Sequence, residues 1–159
     1  MPCPEDELSP AMSKATIDYH YGELYKGYVD KVNKGIGGDF QVAGANLHDL
    51  FFSQLKPYSK ENKPSGLISD LIKVEFSSFN EMKKALKEEA MLIQGSGWIY
   101  VDKKGKIKTI KNHETKKDIV ILIDWWEHAW ALDYGADKGS YFDNFWHILD
   151  WDVVNSRLS

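Results

Sequence analysis

The chain has 159 residues, 43% of them hydrophobic, with a net charge of −4 and a single cysteine, Cys3. That length suits one compact unit or two small lobes sharing a core, and one cysteine excludes an intramolecular disulfide, so a reducing, cytoplasmic setting is expected. No apolar run approaches the roughly 20 residues that span a bilayer, and basic residues interleave with acidic ones, so neither a membrane nor a nucleic acid is expected as a partner.

Taken in chain order, "SKATIDYHYGELYKGYVDKVN" places Ile17, His20, Leu24, Tyr28 and Val32 at spacings of three and four. That pattern predicts a helix, with Ser13 or Thr16 as its N-cap. Glycines in "KGIGGD" end it, and "FQVAGANLHDLFFSQL" then puts Leu47, Leu50, Phe51 and Leu55 at helical spacing, a second helix returning alongside the first. The polar connector "KPYSKENKPSG" marks a boundary between a helical hairpin domain, residues 1–60, and a C-terminal α/β domain, residues 61–159.

Two further helices are expected in "GLISDLIKVEF" and "SFNEMKKALKEEAMLI", the second opened by Ser77 or Ser78 with Glu81 at capping-box distance. The period then changes to that of strands. "GSGWIYVDKKGKIKTIKN" reads as two strands joined by a turn at Gly105, its many lysines forming a solvated hairpin, and "DIVILI" reads as a third, buried strand. Short helices finish the chain through "YFDNFWHILDWDVVNSRL". Helices, then strands, then helices argue for an α+β fold: an N-terminal antiparallel helical hairpin, then a lobe with a three-stranded antiparallel sheet surrounded by helices.

Four ionisable residues stand on apolar faces within this pattern. His20 lies on the stripe of the first helix and His48 on that of the second, while Asp124 and His128 follow the buried strand. A buried lone carboxylate is costly unless it is paired or bound to a metal. Three imidazoles and one carboxylate suit Zn, Fe or Mn, and the lack of a nearby thiolate argues against a soft-metal site. These residues point to a buried metal site and leave its reaction open.

The same residues carry a family resemblance. "DWWEHAW" resembles the D-x-W-E-H-A metal-binding signature of the iron/manganese superoxide dismutases, and "DYHYGELYKGYV", "NLHDLFF", "GSGW" and "YFDNFWHILDW" resemble that family's other motifs in the same order. The likeness spans residues 13–157. It implies that His20, His48, Asp124 and His128 hold one Fe or Mn ion per subunit, with a solvent molecule as fifth ligand. Superoxide would be the substrate, converted to dioxygen and hydrogen peroxide. By the same resemblance Tyr28 lies at the mouth of the substrate funnel, Trp98 and Trp126 wall the site, and Phe52 takes the place of another tryptophan. Glu127 would reach across a homodimer interface to the partner's ligand histidine, and pairing of dimers into tetramers is left open.

Departures from the family pattern are as informative. The glutamine that iron enzymes bring from the second helix is replaced here by Gly44, and His113 follows Asn112 where manganese enzymes bring theirs. This implies a catalytic role for His113 beside the metal's solvent ligand and an iron or cambialistic site, able to work with either metal. The usual interface histidine and tyrosine are replaced by Leu24 and Ala131, Trp130 replaces a neighbouring aromatic, and Gly135 and Lys138 stand where arginines are usual. Losing both halves of one hydrogen bond is self-consistent, since keeping one would strand a buried polar group. The alternative these departures raise is a divergent member that binds metal with little or no turnover. His147 matches no ligand.

Overall fold

The computed structural model describes all residues, 1–159. The first helical run starts at Ser13, whose extended backbone frees Oγ to accept the Thr16 N–H at 3.2 Å. It comprises α1 (Lys14–Ile17), a π-helical stretch (Asp18–Tyr25) and α2 (Lys26–Asn33). The π stretch alters the expected stripe: Ile17 and His20 are buried, whereas Leu24, Tyr28 and Val32 are only half-buried. Bonding from i to i+5 widens the turn, so residues beyond it rotate away from the face a regular helix would give.

Gly35, in the left-handed region at φ 68°, helps turn the chain into α3 (Asp39–Ser53), which packs back against α2. Its inner face carries Gly44, Leu47, His48, Phe51 and Phe52, all buried. Leu55, expected on this helix, lies past its end and bridges to Leu149. The connector is tied down rather than free. Lys56 N–H donates to Ile148 O at 2.8 Å, and the Asn62 carboxamide donates to Trp146 O and Leu149 O, each at 2.8 Å.

Next come α4 (Leu67–Phe76) and α5 (Phe79–Met91). Ser78, not Ser77, caps α5 through the Glu81 N–H, and Ser77 turns the corner at φ 69°. Strands β1 (Gly97–Asp102), β2 (Ile107–Lys111) and β3 (Ile119–Asp124) pair antiparallel in the order β2-β1-β3, with Trp98 opposite Ile110 on one side and Asp124 on the other. The hairpin turn needs glycine at 105: φ is 74°, and a Cβ would lie 2.6 Å from the Glu75 side chain. Helices α6 (Ala131–Tyr134), α7 (Lys138–Phe145) and α8 (Trp151–Leu158) close the chain.

Both β1 and β3 are buried along their whole length, although β3 has an unpaired edge. The Gln54 side chain covers it like a fragment of a neighbouring strand. Its Oε1 accepts the Leu122 N–H at 3.2 Å and its Nε2 donates to Leu122 O. The Arg157 guanidinium donates to Gln54 Oε1 at 2.9 Å, to Val120 O at 3.2 Å and to Leu50 O at 2.6 Å, and burial pushes its pKa down to about 10. One continuous apolar core takes Ile17, Leu47, Phe51 and Leu55 from the hairpin and Ile99, Ile121, Phe142 and Trp151 from the rest. Each such side chain contributes about 1.5–3 kcal/mol on burial.

Candidate metal centre

Where β3 ends, Asp124 Oδ1 accepts the Trp126 N–H at 2.8 Å, which fixes the carboxylate and turns Oδ2 into the core. The chain then bends into a 3-10 turn (Glu127–Ala129) that brings His128 Nε2 to 3.1 Å from that oxygen. From the π stretch, His20 Nε2 also lies 3.1 Å from Oδ2, and from α3 His48 Nε2 lies at 3.8 Å. One ligand atom from each of the four residues falls within 4.8 Å of the others. Three of the side chains are wholly buried and His128 is nearly so.

The donor set fits a cation better than it fits a hydrogen-bond network. His48 Nδ1 lies 2.7 Å from Gly44 O, a group that only accepts, so the proton resides on Nδ1. Burial pushes the His48 pKa down to about 3, with Asp124 opposing, and the neutral ring then aims the Nε2 lone pair at a carboxylate oxygen. Two electron-rich atoms facing each other in a dry interior are unfavourable unless a positive charge lies between them. Both His20 nitrogens and His48 Nε2 are buried without hydrogen-bond partners. A second nitrogen held by a backbone carbonyl is the arrangement that fixes the tautomer of a metal-binding histidine.

The electrostatics agree. Burial would raise the Asp124 carboxyl, but the closeness of His128 and His20 outweighs it and holds the group below the ordinary carboxylate range. Burial lowers His20 in the same way as His48. An ionised carboxylate beside the neutral imidazoles of His20 and His48 is a protonation state that suits Fe or Mn, both of which accept mixed nitrogen and oxygen donors.

A second ring of residues encloses this cluster. The Trp98 indole packs edge-on against His48, with ring centroids 5.1 Å apart, and Phe52 packs against His20 at 4.8 Å. Buried His113 stacks on Trp126 at 4.5 Å, receives the Trp98 Nε1–H at Nδ1, 3.1 Å, and has Nε2 3.1 Å from the Tyr28 hydroxyl. Gly44 makes room for it: a Cβ there would lie 3.1 Å from His113 Cδ2 and 3.3 Å from the Tyr28 ring. So the glycine at 44 and the histidine at 113 fit together as space and occupant.

The other sequence-derived residues lie further out. Glu127 is exposed, and its carboxylate has no hydrogen bond or ion pair within the chain. Leu24 and Ala131 are half-buried, and Trp130 is buried with its indole N–H near Trp125 O at 3.5 Å. His147 bonds the Ser59 carbonyl at 3.2 Å and is not among the four clustered ligands. The residue that sequence reasoning missed is Phe40. It packs on His113 at 4.6 Å and is 40% exposed, closing the outer side of the site. Its signal was the four-residue spacing it shares with Gly44 and His48 on one helix face.

Comparison with known proteins is consistent along the chain. The family model for the C-terminal domain of iron/manganese superoxide dismutases matches residues 64–157. Similar relatives include "Superoxide dismutase [Fe]" from Bacteroides fragilis, 33% identical over 186 residues covering 99% of this chain and 96% of that protein. "Superoxide dismutase [Mn/Fe]" from Porphyromonas gingivalis is 33% identical over 184 residues, with 99% and 96% covered. "Superoxide dismutase [Fe]" from Sulfolobus acidocaldarius is 31% identical over 191 residues, with 99% and 90% covered. With the four-residue donor cluster and the whole-chain similarity in agreement, the chain belongs to the iron/manganese superoxide dismutase family.

Proposed function

We propose that this chain is an active superoxide dismutase that holds one iron or manganese ion between His20, His48, Asp124 and His128. The observation that carries the reading is the convergence of these four ligand atoms within 4.8 Å, two of the histidines being unpartnered on the inner side. When bound, the metal supplies a one-electron couple: one superoxide gives up an electron and leaves as dioxygen, and a second takes that electron with two protons and leaves as hydrogen peroxide. The residues do the rest. Asp124 and the three imidazoles hold the ion, Trp98, Trp126, Phe52 and Phe40 keep bulk water off, and Tyr28 with His113 supplies hydrogen bonding at the open side.

His113 in the space opened by Gly44 supports a site that works with either metal, since the usual iron-type glutamine is absent. Glu127, exposed beside His128 and unpaired within its own subunit, supports a homodimer in which it meets the partner's histidine. The division at residues 60 and 61 belongs to the same proposal, each part bringing two of the four ligands. A cytoplasmic location rests on the single cysteine. No helix is long and apolar enough to cross a membrane.

The test is to measure the metal content of purified protein, then superoxide consumption after reconstitution with iron and with manganese. Turnover with at least one metal at one ion per subunit is expected. Stoichiometric metal without turnover would overturn the catalytic reading in favour of a divergent metal-binding member.

A further inference from the structure

The sheet has two outer edges, and they are finished differently. On β3 the Gln54 side chain bonds Leu122, whereas β2 has no strand on its outer side. Asp102 N–H donates to Lys106 O at 3.0 Å and Asn112 N–H to Ser96 O at 3.0 Å, which sets the phase of the ladder between β1 and β2. Residues 106, 108, 110 and 112 therefore turn their backbone groups to β1, and antiparallel pairing turns every second residue the other way. The N–H and C=O groups of Ile107, Thr109 and Lys111 point outward, and none bonds to another group of the chain.

Side chains beside this edge shape a groove. Thr109, Ile110 and Lys111 form one wall and Leu92, Ile93 and Gln94 the other, around a space of about 270 Å³. Leu92 is 72% exposed, an apolar side chain left in water just past α5. The surroundings are strongly basic. Residues 103–117 hold seven lysines against one acid, Glu114, in a chain whose net charge is −4. Glu75 pairs with Lys106, and Asp102 with Asp118 pairs with Lys108, but Lys111, on the edge itself, has no acidic partner.

We propose that the outer edge of β2 docks an extended acidic segment of a partner protein, added to the sheet as a further strand. The outward groups of Ile107, Thr109 and Lys111 supply its main-chain hydrogen bonds, the groove at Leu92 and Ile93 takes an apolar side chain, and Lys111 pairs with a carboxylate. Charge selects this occupant over a second copy of the chain. Two β2 edges placed together would set Lys108 and Lys111 of one copy against those of the other, and like charges facing across a ladder repel. Lysines on an edge also serve to keep strands from pairing at all. That defensive role predicts that no strand binds, so experiment separates the two. Neither outcome depends on the dismutase reading.

The probe is an acetylated, amidated hexapeptide of alternating valine and glutamate, titrated into the metal-loaded protein at low salt. Site-resolved hydrogen exchange at saturating peptide is expected to slow at least about fivefold at Ile107, Thr109 and Lys111 and to stay unchanged at Lys108 and Ile110, whose N–H groups already bond β1. The same peptide with lysine in place of glutamate is expected to bind at least about tenfold more weakly, and Lys111→Glu to weaken the glutamate peptide by a similar factor. Thr109→Pro removes one outward N–H and leaves the β1 ladder intact, a substitution that edge strands accept. It should weaken binding about threefold to tenfold, the worth of one hydrogen bond. No slowing at the three alternate amides with millimolar peptide would overturn the proposal and leave the lysines as a guard on the edge. Uniform slowing along β2, or equal binding of the lysine peptide, would overturn it as well. The exchange pattern of the parent protein decides the matter should the proline variant fail to fold.

Discussion

The helical hairpin and the sheet each deliver two donors to one centre, but they aim them by different means. His48 is aimed by a bond to a carbonyl four residues back and His20 by the π stretch that contains it, both features local in sequence. Asp124 stands at the end of an edge strand whose free side is held at Leu122 by Gln54, 68 positions before that leucine, and by Arg157 beyond it. Local aiming depends on the ligand's own helix. Strand-end aiming depends on remote polar groups, so the two halves should fail differently when perturbed.

The sharpest break is at the donors themselves. His48→Ala should lower bound metal at least about tenfold by elemental analysis, since an outer-shell loss alone typically costs 10–100-fold in affinity. Retained stoichiometric metal would remove His48 from the ligand set. The remote tie comes next. Gln54→Ala strands the buried Leu122 N–H and C=O and part of Arg157's bonding, and should cost about 2–4 kcal/mol in denaturant unfolding. If the hairpin and the strand are coupled as described, metal affinity should fall with it, although residue 54 touches no ligand. Unchanged affinity in the folded variant would mean that the Asp124 position does not depend on the covered edge.

A smaller effect is expected from within the hairpin. Gly44→Ala places a methyl 3.1 Å from His113 Cδ2, and crowding of this kind costs about 1–3 kcal/mol. The metal should stay bound, because His48 keeps its carbonyl partner, while the bond from His113 to Tyr28 is displaced. A variant as stable as the parent, with unaltered kinetics, would show that His113 has room to give.

What could be read in advance follows the same division. The four ligands were legible because ionisable residues on apolar stripes are rare and costly, and the strands because β-branched runs in "DIVILI" break the helical period. The π stretch was not: "DYHYGELY" carries no mark that separates it from an ordinary helix, and only the half-exposed Leu24 and Tyr28 betray the widened turn. Nothing in the sequence marks Gln54 or Arg157, since their meaning lies in a strand edge remote in the chain. Gly44 and His113 each stand out in the sequence, but their relation as space and occupant exists only after folding. Local periodicity predicts which face is buried; it does not report which distant group completes it.

Glu127 gives the mildest expected effect on the single subunit and tests where the comparison ends. It is exposed, unpaired within its own chain and adjacent to His128, so Glu127→Ala should leave subunit unfolding nearly unchanged, as surface substitutions usually do. Under the proposed homodimer its effect would fall between subunits. If its carboxylate meets the partner's ligand histidine, removing it leaves that imidazole's second nitrogen unsatisfied in a buried interface, and sedimentation should show a weaker dimer. The absent interface pair makes this measurement more decisive, because Leu24 and Ala131 cannot supply a compensating hydrogen bond. An unchanged dimer constant would place the contact between subunits elsewhere, on apolar surface such as that around Leu24, and would leave each metal centre aimed by its own chain alone.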